Sequence, residues 1–550
     1  MKTGRFQRLF MLVLDSIVLF FLRAFKKFTT LETFSHEGAD SDAVPHMTDN
    51  SDPKKLGIEY ELEVDGKQTD SYSRPEPIYF DPGEKYAETD SIVTFRGDNL
   101  RTDASFGTCS IKEKKLEIVW EVPTGRLKKH YGKGYWTGSG WTGQPLIVKW
   151  DDEIKSKLNI SPDKMAKQDL KEIVYSTMDG CVYFLDLDDG SATREKIKVG
   201  LPFKGAGAVD PRRDRPIVFL GAGDGGPDGA PARALAYSLK DGSKLFEFGA
   251  EDPFKQRVFT GFDSSHIVHK GTDTLIEPGE NGILYTMKMN SSVDADGNVT
   301  CNPSDVVKLR YRSNRSSEES YWLGMEDSAV LWKNYIYIAD NGGNLLCIDL
   351  NTMKLIWAQD VADDTNGSPV LSVEDGVPYI YIATSLHWTA SNRLRLGYVP
   401  VFKINAISGE YVWIRKYLCN TVAGISGGVQ ATCVLGRGDI SDLVIFPIAR
   451  TPSVKGGKLV AMSKKDGSEK WVLRQKHYAW SSPVAVYDEE GHAYIIQCDS
   501  VGDMMLVKGS TGEVLDCVNL GANIEASPAV YGDMVVVGTR GQKICGVRIK

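Results

Sequence analysis

Hydrophobic positions along this chain come in short period-two runs rich in Val, Ile and Tyr, set between turns of Gly, Asp, Asn and Ser. Such runs predict β-strands, because alternate side chains of a strand face opposite sides of a sheet. One turn recurs with a fixed continuation: polar residues, a glycine or its substitute, and an aromatic four residues later at the head of the next strand. It is present as Asp349 to Trp357, Asn405 to Trp413 and Lys465 to Trp471, with Met353, Gly409 and Gly467 at the turn. Weaker copies keep the turn and lose the Trp: Gly190 is followed by Arg194, Gly242 by Phe246 and Gly512 by Asp516. Repetition at tens of residues marks a unit that buries its face only against a neighbouring copy.

Upstream of each turn the unit reads as a small-residue or Ser-Pro start, then an apolar strand, a second strand, a third running into the turn, and the Trp strand. Ser481-Ser482-Pro483 followed by Ala493 to Ile496, and Ala526-Ser527-Pro528 followed by Met534 to Gly538, show it most plainly. Four strands per unit, radially repeated, is a propeller blade. Starts near Gln144, Gly207, Ser264, Asp327, Ser368, Gly427, Ser482 and Ser527 predict eight blades. The eighth runs out of chain after three strands, while a matching strand, Leu116 to Val122 with Trp120, precedes the first blade. The expectation is an all-β, eight-bladed propeller of four-stranded antiparallel blades, closed by that N-terminal strand so that no sheet edge is left open.

A length of 550 residues suggests several domains on a prior of roughly 100 to 200 residues each. Repetition overrules the prior and leaves one ring over 91–550 with an N-terminal extension. Within 1–28, Lys2, Arg5 and Arg8 precede the apolar run Leu9 to Leu22, which is followed by Arg23, Lys26 and Lys27. This predicts a short hydrophobic helix of signal or signal-anchor type. It implies membrane contact and an extracytoplasmic place in a bacterial cell envelope. Residues 29–56 read as a flexible polar linker. Residues 57–90 read as a small extension, with Ile58 to Gly66 alternating and ending in the Asp-Gly turn of a hairpin. The formal net charge is −8 with Lys and Arg dispersed along the chain, which disfavours nucleic-acid binding. The ring is expected to be monomeric.

The Asp/Asn-x-x-Ser/Thr-Gly-x-x-x-Trp turn and the Ser-Ser-Pro-x-Val start resemble the pyrroloquinoline-quinone (PQQ) repeat propellers. These include quinoprotein alcohol dehydrogenases and a non-enzymatic outer-membrane-assembly lipoprotein. Phe95-Arg96-Gly97-Asp98-Asn99-Leu100-Arg101-Thr102 is similar to the lead-in that many such bacterial propellers carry. For an enzyme the resemblance implies PQQ beside a disulfide of adjacent cysteines, with a calcium held by Glu, Asn and a catalytic Asp. The nine cysteines here are scattered singly and none are adjacent. The acids near blade starts, Asp263, Glu326, Asp327 and Glu525, share no spacing. PQQ with calcium is therefore not expected, and no cofactor, metal or catalytic residue is assigned.

Other motifs read as structure. The glycine-rich stretch Gly221 to Gly229 lacks the ending of a phosphate loop and reads as an inter-strand loop. Asp294, Asp296 and Asn298 are spaced as in a calcium loop but lack its central Gly, so a hairpin turn is expected. His266 and His269 lack a third ligand. Cys419 and Cys433 are placed to meet across strands or to remain buried thiols. The repeat tryptophans Trp120, Trp357, Trp413 and Trp471 are expected to pack on the neighbouring blade. A second set of aromatics precedes blade starts, among them Tyr135, Trp136, Trp141, Phe259, Phe262, Tyr321, Trp322, Tyr478 and Trp480, with Trp388 after the fifth start. Equivalent repeat positions share one face of the ring, so Trp136, Trp141, Trp322 and Trp480 are the candidate ligand contacts. The functional expectation is a non-catalytic, membrane-tethered scaffold that binds a protein or an envelope polymer through this face. The alternative is an oxidoreductase using PQQ or another cofactor.

Overall fold

The computed structural model describes residues 29–35, 43–102, 104–140, 143–315, 323–387, 389, 395–422 and 426–550. They form eight antiparallel sheets of four principal strands, arranged as an eight-bladed propeller with only two short α-helices, Asp152–Lys155 and Pro162–Ala166. Blade 1 spans 146–198, blade 2 208–248, blade 3 267–312, blade 4 330–360, blade 5 370–420, blade 6 434–475 and blade 7 484–519. Blade 8 takes Ala529–Tyr531, Met534–Thr539 and Lys543–Ile549 from the C-terminus, and its outermost strand is Leu116–Pro123. The N-terminal closure read from the sequence is thus present, with Trp120 opposite Gly546. The predicted N-terminal helix lies outside the described residues.

The repeated turn explains how blades stay together. Its glycine has φ of +70° at Gly190, +71° at Gly409, +70° at Gly467 and +75° at Gly512. This left-handed conformation costs an L-residue with a Cβ about 1–2 kcal/mol. Absence of a Cβ does a second job. The indole of the preceding blade lies on the glycine, and an added Cβ would come within 2.6 Å of Trp120 at Gly190, 2.8 Å of Trp357 at Gly409, 2.8 Å of Trp413 at Gly467 and 2.5 Å of Trp471 at Gly512. Each Nε1 donates to a carbonyl of the same neighbouring blade: Leu187 at 3.0 Å, Ala406 at 3.1 Å, Lys464 at 3.1 Å and Gly509 at 2.8 Å. Every acceptor stands three residues before the turn glycine, so glycine and Trp belong to one joint that spans two blades.

The Ser-rich starts build a second set of joints near the axis. The backbone N–H of Ser265 donates to Ser328 Oγ at 2.9 Å, that of Ser328 to Ser368 Oγ at 2.9 Å and that of Ser368 to Thr432 Oγ1 at 3.0 Å. The belt continues from Thr432 to Ser482 Oγ at 3.0 Å and from Ser482 to Ser527 Oγ at 3.3 Å, and Ser527 donates to the Gly143 carbonyl at 2.8 Å. The start of blade 6 is therefore Thr432, not Gly427. Gly427–Gly428 instead bridges the loops of blades 5 and 6, pairing with Ser385–Leu386. Two adjacent small residues gave a start-like signal, but the belt needs a hydroxyl.

Residues 92–102 and 104–106 lie across the axis as a plug and reach the inner strand or the start of every blade. Ile92 bridges Ile147 in blade 1, Thr94 bridges Ala208 in blade 2, and Asn99 exchanges hydrogen bonds with Leu331 in blade 4. Leu100 accepts from Leu371 of blade 5, and Ser105–Phe106 lies parallel to the inner strand of blade 8. Arg96 reaches Cys433 O at 3.0 Å and Pro483 O at 2.7 Å, in the starts of blades 6 and 7. Arg101 donates to Ser265 O at 2.7 Å and Ala329 O at 2.9 Å, in the starts of blades 3 and 4.

The stretch read as a flexible linker is partly structured. Thr29–Thr33 adds a fifth strand to the outer edge of blade 5, and Pro53–Leu56 forms a 3-10 turn. An edge strand is held by backbone bonds, so it needs no apolar alternation to be seated. The hairpin Glu59–Val64 and Lys67–Thr69 turns at Asp65-Gly66 and extends the outer edge of blade 3. The glycine-rich loop joins Ile217–Gly221 to Ala234–Ser238, and Asp294 to Asn298 turns a two-stranded hairpin. His266 is buried, and His269 bonds to Thr272 and Tyr79. All nine cysteines, including Cys419 and Cys433, are free thiols.

Deletion of residues 1–125 removes both the plug and the last strand of blade 8, and should give aggregated or protease-sensitive protein. Deletion of 1–56 should leave a monomer that melts cooperatively. A monomeric, cooperative 1–125 deletion on size exclusion and calorimetry would refute the closure. Among the joint residues, Trp357 and Trp413 are fully buried, and replacing either by Ala should cost ~3–5 kcal/mol in chemical denaturation. Trp471 is half-buried and should cost less. Equal, near-zero costs at all three would show that these joints do not hold the ring.

Candidate functional site

The candidate site lies at the mouth of the ring on the face where inner strands begin, opposite the plug. Two kinds of loop rim this mouth: the segments leading into each blade start, and the turns between second and third strands. Lys204, Arg257, Asp263, Glu326 and Asp364 come from the first kind. Glu280 and Asn341 come from the second, each two residues before a glycine at φ near +80°, Gly282 and Gly343. Both therefore occupy the same turn position in consecutive blades.

These side chains meet. Lys204 Nζ lies 3.7 Å from Asp263 Oδ2. Arg257 donates to Asn341 Oδ1 at 2.9 Å, and the Asn341 amide donates to Glu326 Oε2 at 3.1 Å and Asp364 Oδ1 at 2.9 Å. His387 Nδ1 is 3.2 Å from Asp364 Oδ2. Both oxygens of Asp263, and Oε1 of Glu280, are buried with no hydrogen-bond partner among the described residues. Glycines make room for the set, since a Cβ at Gly223 would stand 2.2 Å from Asp263 Oδ1 and one at Gly324 would stand 1.9 Å from the Arg257 guanidinium. Burial, then neighbouring Glu326 and Asp263, raises Glu280 well above the usual carboxylate range. Asp263 is raised by burial while Lys204 works against the shift. Lys204 loses solvation but is held charged by Asp263, Glu280, Glu326 and Asp224.

The sequence-predicted residues fall in several places. Trp136 is half-buried at the mouth, with Lys129 Nζ 4.1 Å and Lys204 Nζ 5.6 Å from its ring. Trp480 is half-buried against Tyr478, ring centroids 5.3 Å apart, beside Arg450. Both indole Nε1 atoms are shielded and have no acceptor among the described residues. Trp141, Tyr321, Trp322 and Trp388 lie outside the described residues. Phe259 flanks Lys204 and Arg257 at 5.6 and 5.4 Å, whereas Phe262 is fully buried in the contact between blades 2 and 3. Of the four acids, Asp263 and Glu326 meet at the mouth, Glu525 sits apart with Arg540, and Asp327 is buried in the channel wall. Sequence reasoning missed Lys204, Arg257, Glu280, Asn341, Asp364 and His387. The available signal was turn register, because Glu280 and Asn341 repeat one position of one turn.

Glu326, Asn341 and Asp364 bring together at this mouth the residue types that the resemblance implies for a calcium, without the other half of a quinone site. No adjacent cysteines exist to form its disulfide. Among the described residues, three ligand atoms of carboxylate, His or Cys type converge within 4.8 Å only at Asp488, Glu490 and His492, on an exposed turn of blade 7 away from the axis.

Glu326 gives the mouth a titration that can be followed. Burial, then the charges of Asp364 and Asp263, push its carboxyl up to about 7 against an ordinary 4.5. A group raised on folding contributes stability that is complete below its unfolded pKa and is lost as pH rises through the folded one. Glu326→Gln should therefore gain in melting temperature relative to wild type between about pH 4.5 and 7 and level off above. A pH-independent difference would mean that solvent reaches the carboxylate.

Comparison with known proteins bears on this arrangement. A family model described as outer membrane protein assembly factor BamB matches residues 322–477, the span that holds the three full turn-and-Trp copies. A quinohemoprotein alcohol dehydrogenase from Pseudomonas putida is similar in fold, with TM-score 0.55 and 12% identity over 84% of this chain and 80% of that one. BamB from Moraxella catarrhalis has TM-score 0.44 and 14% identity over 73% of this chain and 98% of that one. No curated protein matches the sequence. Repeated turn and eight-bladed ring agree with that match, and over residues 322–477 the chain is similar to the PQQ-repeat propellers.

Proposed function

We propose that this protein is a non-catalytic extracytoplasmic scaffold, held at a membrane by its N-terminal segment, that binds a protein or a cell-envelope polymer through the open mouth of the ring. The observation that carries this reading is the asymmetry of the channel. One end is filled by the plug, and the other carries the half-buried rings of Trp136 and Trp480, framed by outward apolar side chains. Val258 is 91% exposed and Tyr131 72%, with Tyr135 and Val454 also on this rim. Amphipathic aromatics around a polar centre are the composition of binding hot spots. The charged groups at the centre pair mainly with one another, which suits a recognition surface. Similarity to the BamB family supports a binding role, and likeness to a dehydrogenase supports the fold alone. No helix among the described residues is long and apolar enough to cross a membrane, so the proposed tether rests on the run Leu9 to Leu22.

The double variant Trp136→Ala, Trp480→Ala should melt within a few degrees of wild type, because both side chains are at the rim. It should lose capture of envelope components cross-linked to the wild-type protein in its native host. Destabilisation without selective loss of capture would return both residues to packing. Stoichiometric quinone in protein purified with calcium, read by absorbance and mass spectrometry, would overturn the scaffold in favour of an oxidoreductase.

A further inference from the structure

The register of the N-terminal strand decides from which face of the ring the chain arrives. Thr29–Thr33 pairs antiparallel with the outer strand of blade 5, Thr29 opposite Tyr417 and Thr33 opposite Trp413. That outer strand, Tyr411–Asn420, leaves the turn at Gly409 and runs to the mouth, where the Asn420 N–H bonds to the Arg450 carbonyl at 2.9 Å. The added strand therefore enters from the mouth side and travels away from it. Phe34 next donates to Val412 O, and His46 to Ile407 O beside the turn. Seven residue steps separate Thr29 from Leu22, the end of the apolar run, and they reach at most about 25 Å. A bilayer that holds this run thus lies close to the mouth on the blade 5 side.

Across the ring from blade 5, the same face carries an element suited to such a surface. Between the outer strand of blade 8 and the start of blade 1, Arg126–Lys128 and Tyr135–Thr137 form a hairpin. Its root is held by the Thr124 N–H on the Gln542 carbonyl at 2.9 Å and the Gly125 N–H on Asp179 Oδ2 at 2.7 Å. Cross-strand register sorts the side chains. Leu127 is opposite Trp136, both half-buried, with Lys129 over the indole, whereas Arg126 and Lys128 share the other face with Tyr135. On that face all three are exposed, and the Arg126 guanidinium lies 4.4 Å from the Tyr135 ring centroid. The tip adds exposed His130, Tyr131 and Lys133. From Val122 to Trp150 the sequence contains no acid, in a chain whose net charge is −8. Arg126, Lys128 and Lys133 form no ion pair among the described residues. Acids at the root are engaged elsewhere: Asp179 accepts from Gly125, Thr177 and Tyr183, and Glu121 pairs with Lys543.

We infer that this hairpin rests on an anionic phospholipid surface and, with the N-terminal segment, holds the mouth of the ring toward the bilayer. The inference rests on the reading that Leu9 to Leu22 enters a membrane. Arg126, Lys128 and Lys133 meet headgroup phosphates, and Tyr131 and Tyr135 enter the interface, where rings with a polar tip are favoured. The two supports stand on opposite sides of the axis. Whatever the mouth recognises is then met in the space between ring and membrane.

The test uses the full chain with a fluorophore on Tyr131→Cys or, on an exposed turn of the opposite face, on Lys465→Cys, with the accessible Cys301 and Cys517 changed to Ser. Vesicles are phosphatidylcholine alone or mixed with phosphatidylglycerol. Flotation with phosphatidylcholine alone reports the N-terminal segment. In mixed vesicles brominated acyl chains should quench the label at 131, more than in phosphatidylcholine and less as salt rises, and should spare the label at 465. Arg126→Gln, Lys128→Gln and Lys133→Gln together should cut quenching at 131 about threefold or more while melting temperature and flotation stay as in wild type. Flotation on mixed vesicles only, abolished by the triple variant, supports the hairpin and refutes the tether. Flotation without quenching at 131, quenching indifferent to phosphatidylglycerol, stronger quenching at 465, or wild-type behaviour of the triple variant overturns the proposal and leaves the tether standing. Failure to float on either vesicle overturns both.

Discussion

Two arginines on the axis are the constraint on which the ring depends. Arg96 and Arg101 are buried to 1% and 0% exposure. Between them they hold backbone carbonyls at the starts of four blades. Burial lowers Arg101 only to about 10, so it stays charged at neutral pH. A guanidinium taken out of water must find oxygen partners for its whole fork of donors. Carbonyls at the blade starts supply most of them, and Thr94 Oγ1 and Phe95 O of the plug serve Arg101 as well. The arrangement has a cost in backbone conformation, since Arg96 and Arg101 both take positive φ, at +57° and +59°. Asp98 steadies the tight path by accepting from the Leu100 and Thr102 backbone and from the Thr102 hydroxyl. Outer Trp joints at four contacts and the inner hydroxyl belt from blade 3 through blade 8 link neighbouring blades, while the plug links blades that are not adjacent.

A plugged ring leaves one chemically expressive opening, and its character follows from the repeat. Eight-fold geometry delivers the same loop positions to the same height around the mouth, so single substitutions in different blades converge there. Glu280 and Asn341 are one position in two blades, and Asp263 and Glu326 each sit next to a blade start. The price of such convergence is like charge in low dielectric, visible in the raised pKa values of Asp263, Glu280 and Glu326. Lys204 is the internal answer to that crowding.

Much of the architecture was legible because the repeat is written locally. A turn glycine, a Ser-Pro start and a Trp each report a short-range requirement, and counting them gives eight blades and the closing strand. Gly427 misled because its small-residue pair bridges two loops instead of opening an inner strand, and the belt itself is invisible until neighbouring blades are placed side by side. Residues 29–33 were illegible as a strand for a related reason: their order comes from the edge of blade 5, not from their own side chains. The mouth was legible in part. Aromatic positions pointed to a face, but Lys204, Arg257 and Asp364 carry no local pattern, and their meeting is a product of ring geometry.

Closing the last blade with the N-terminus has a consequence in time. Glu121 and Lys543, paired in blade 8, stand 422 positions apart. During synthesis at about 5–20 residues per second, the closing strand waits for tens of seconds before its partner emerges. Throughout that interval blades 1 to 7 form an arc whose two end faces are uncovered, with an unpaired strand at the leading end. Folding of this molecule is thus a problem of waiting, and its most vulnerable species is a nearly complete ring.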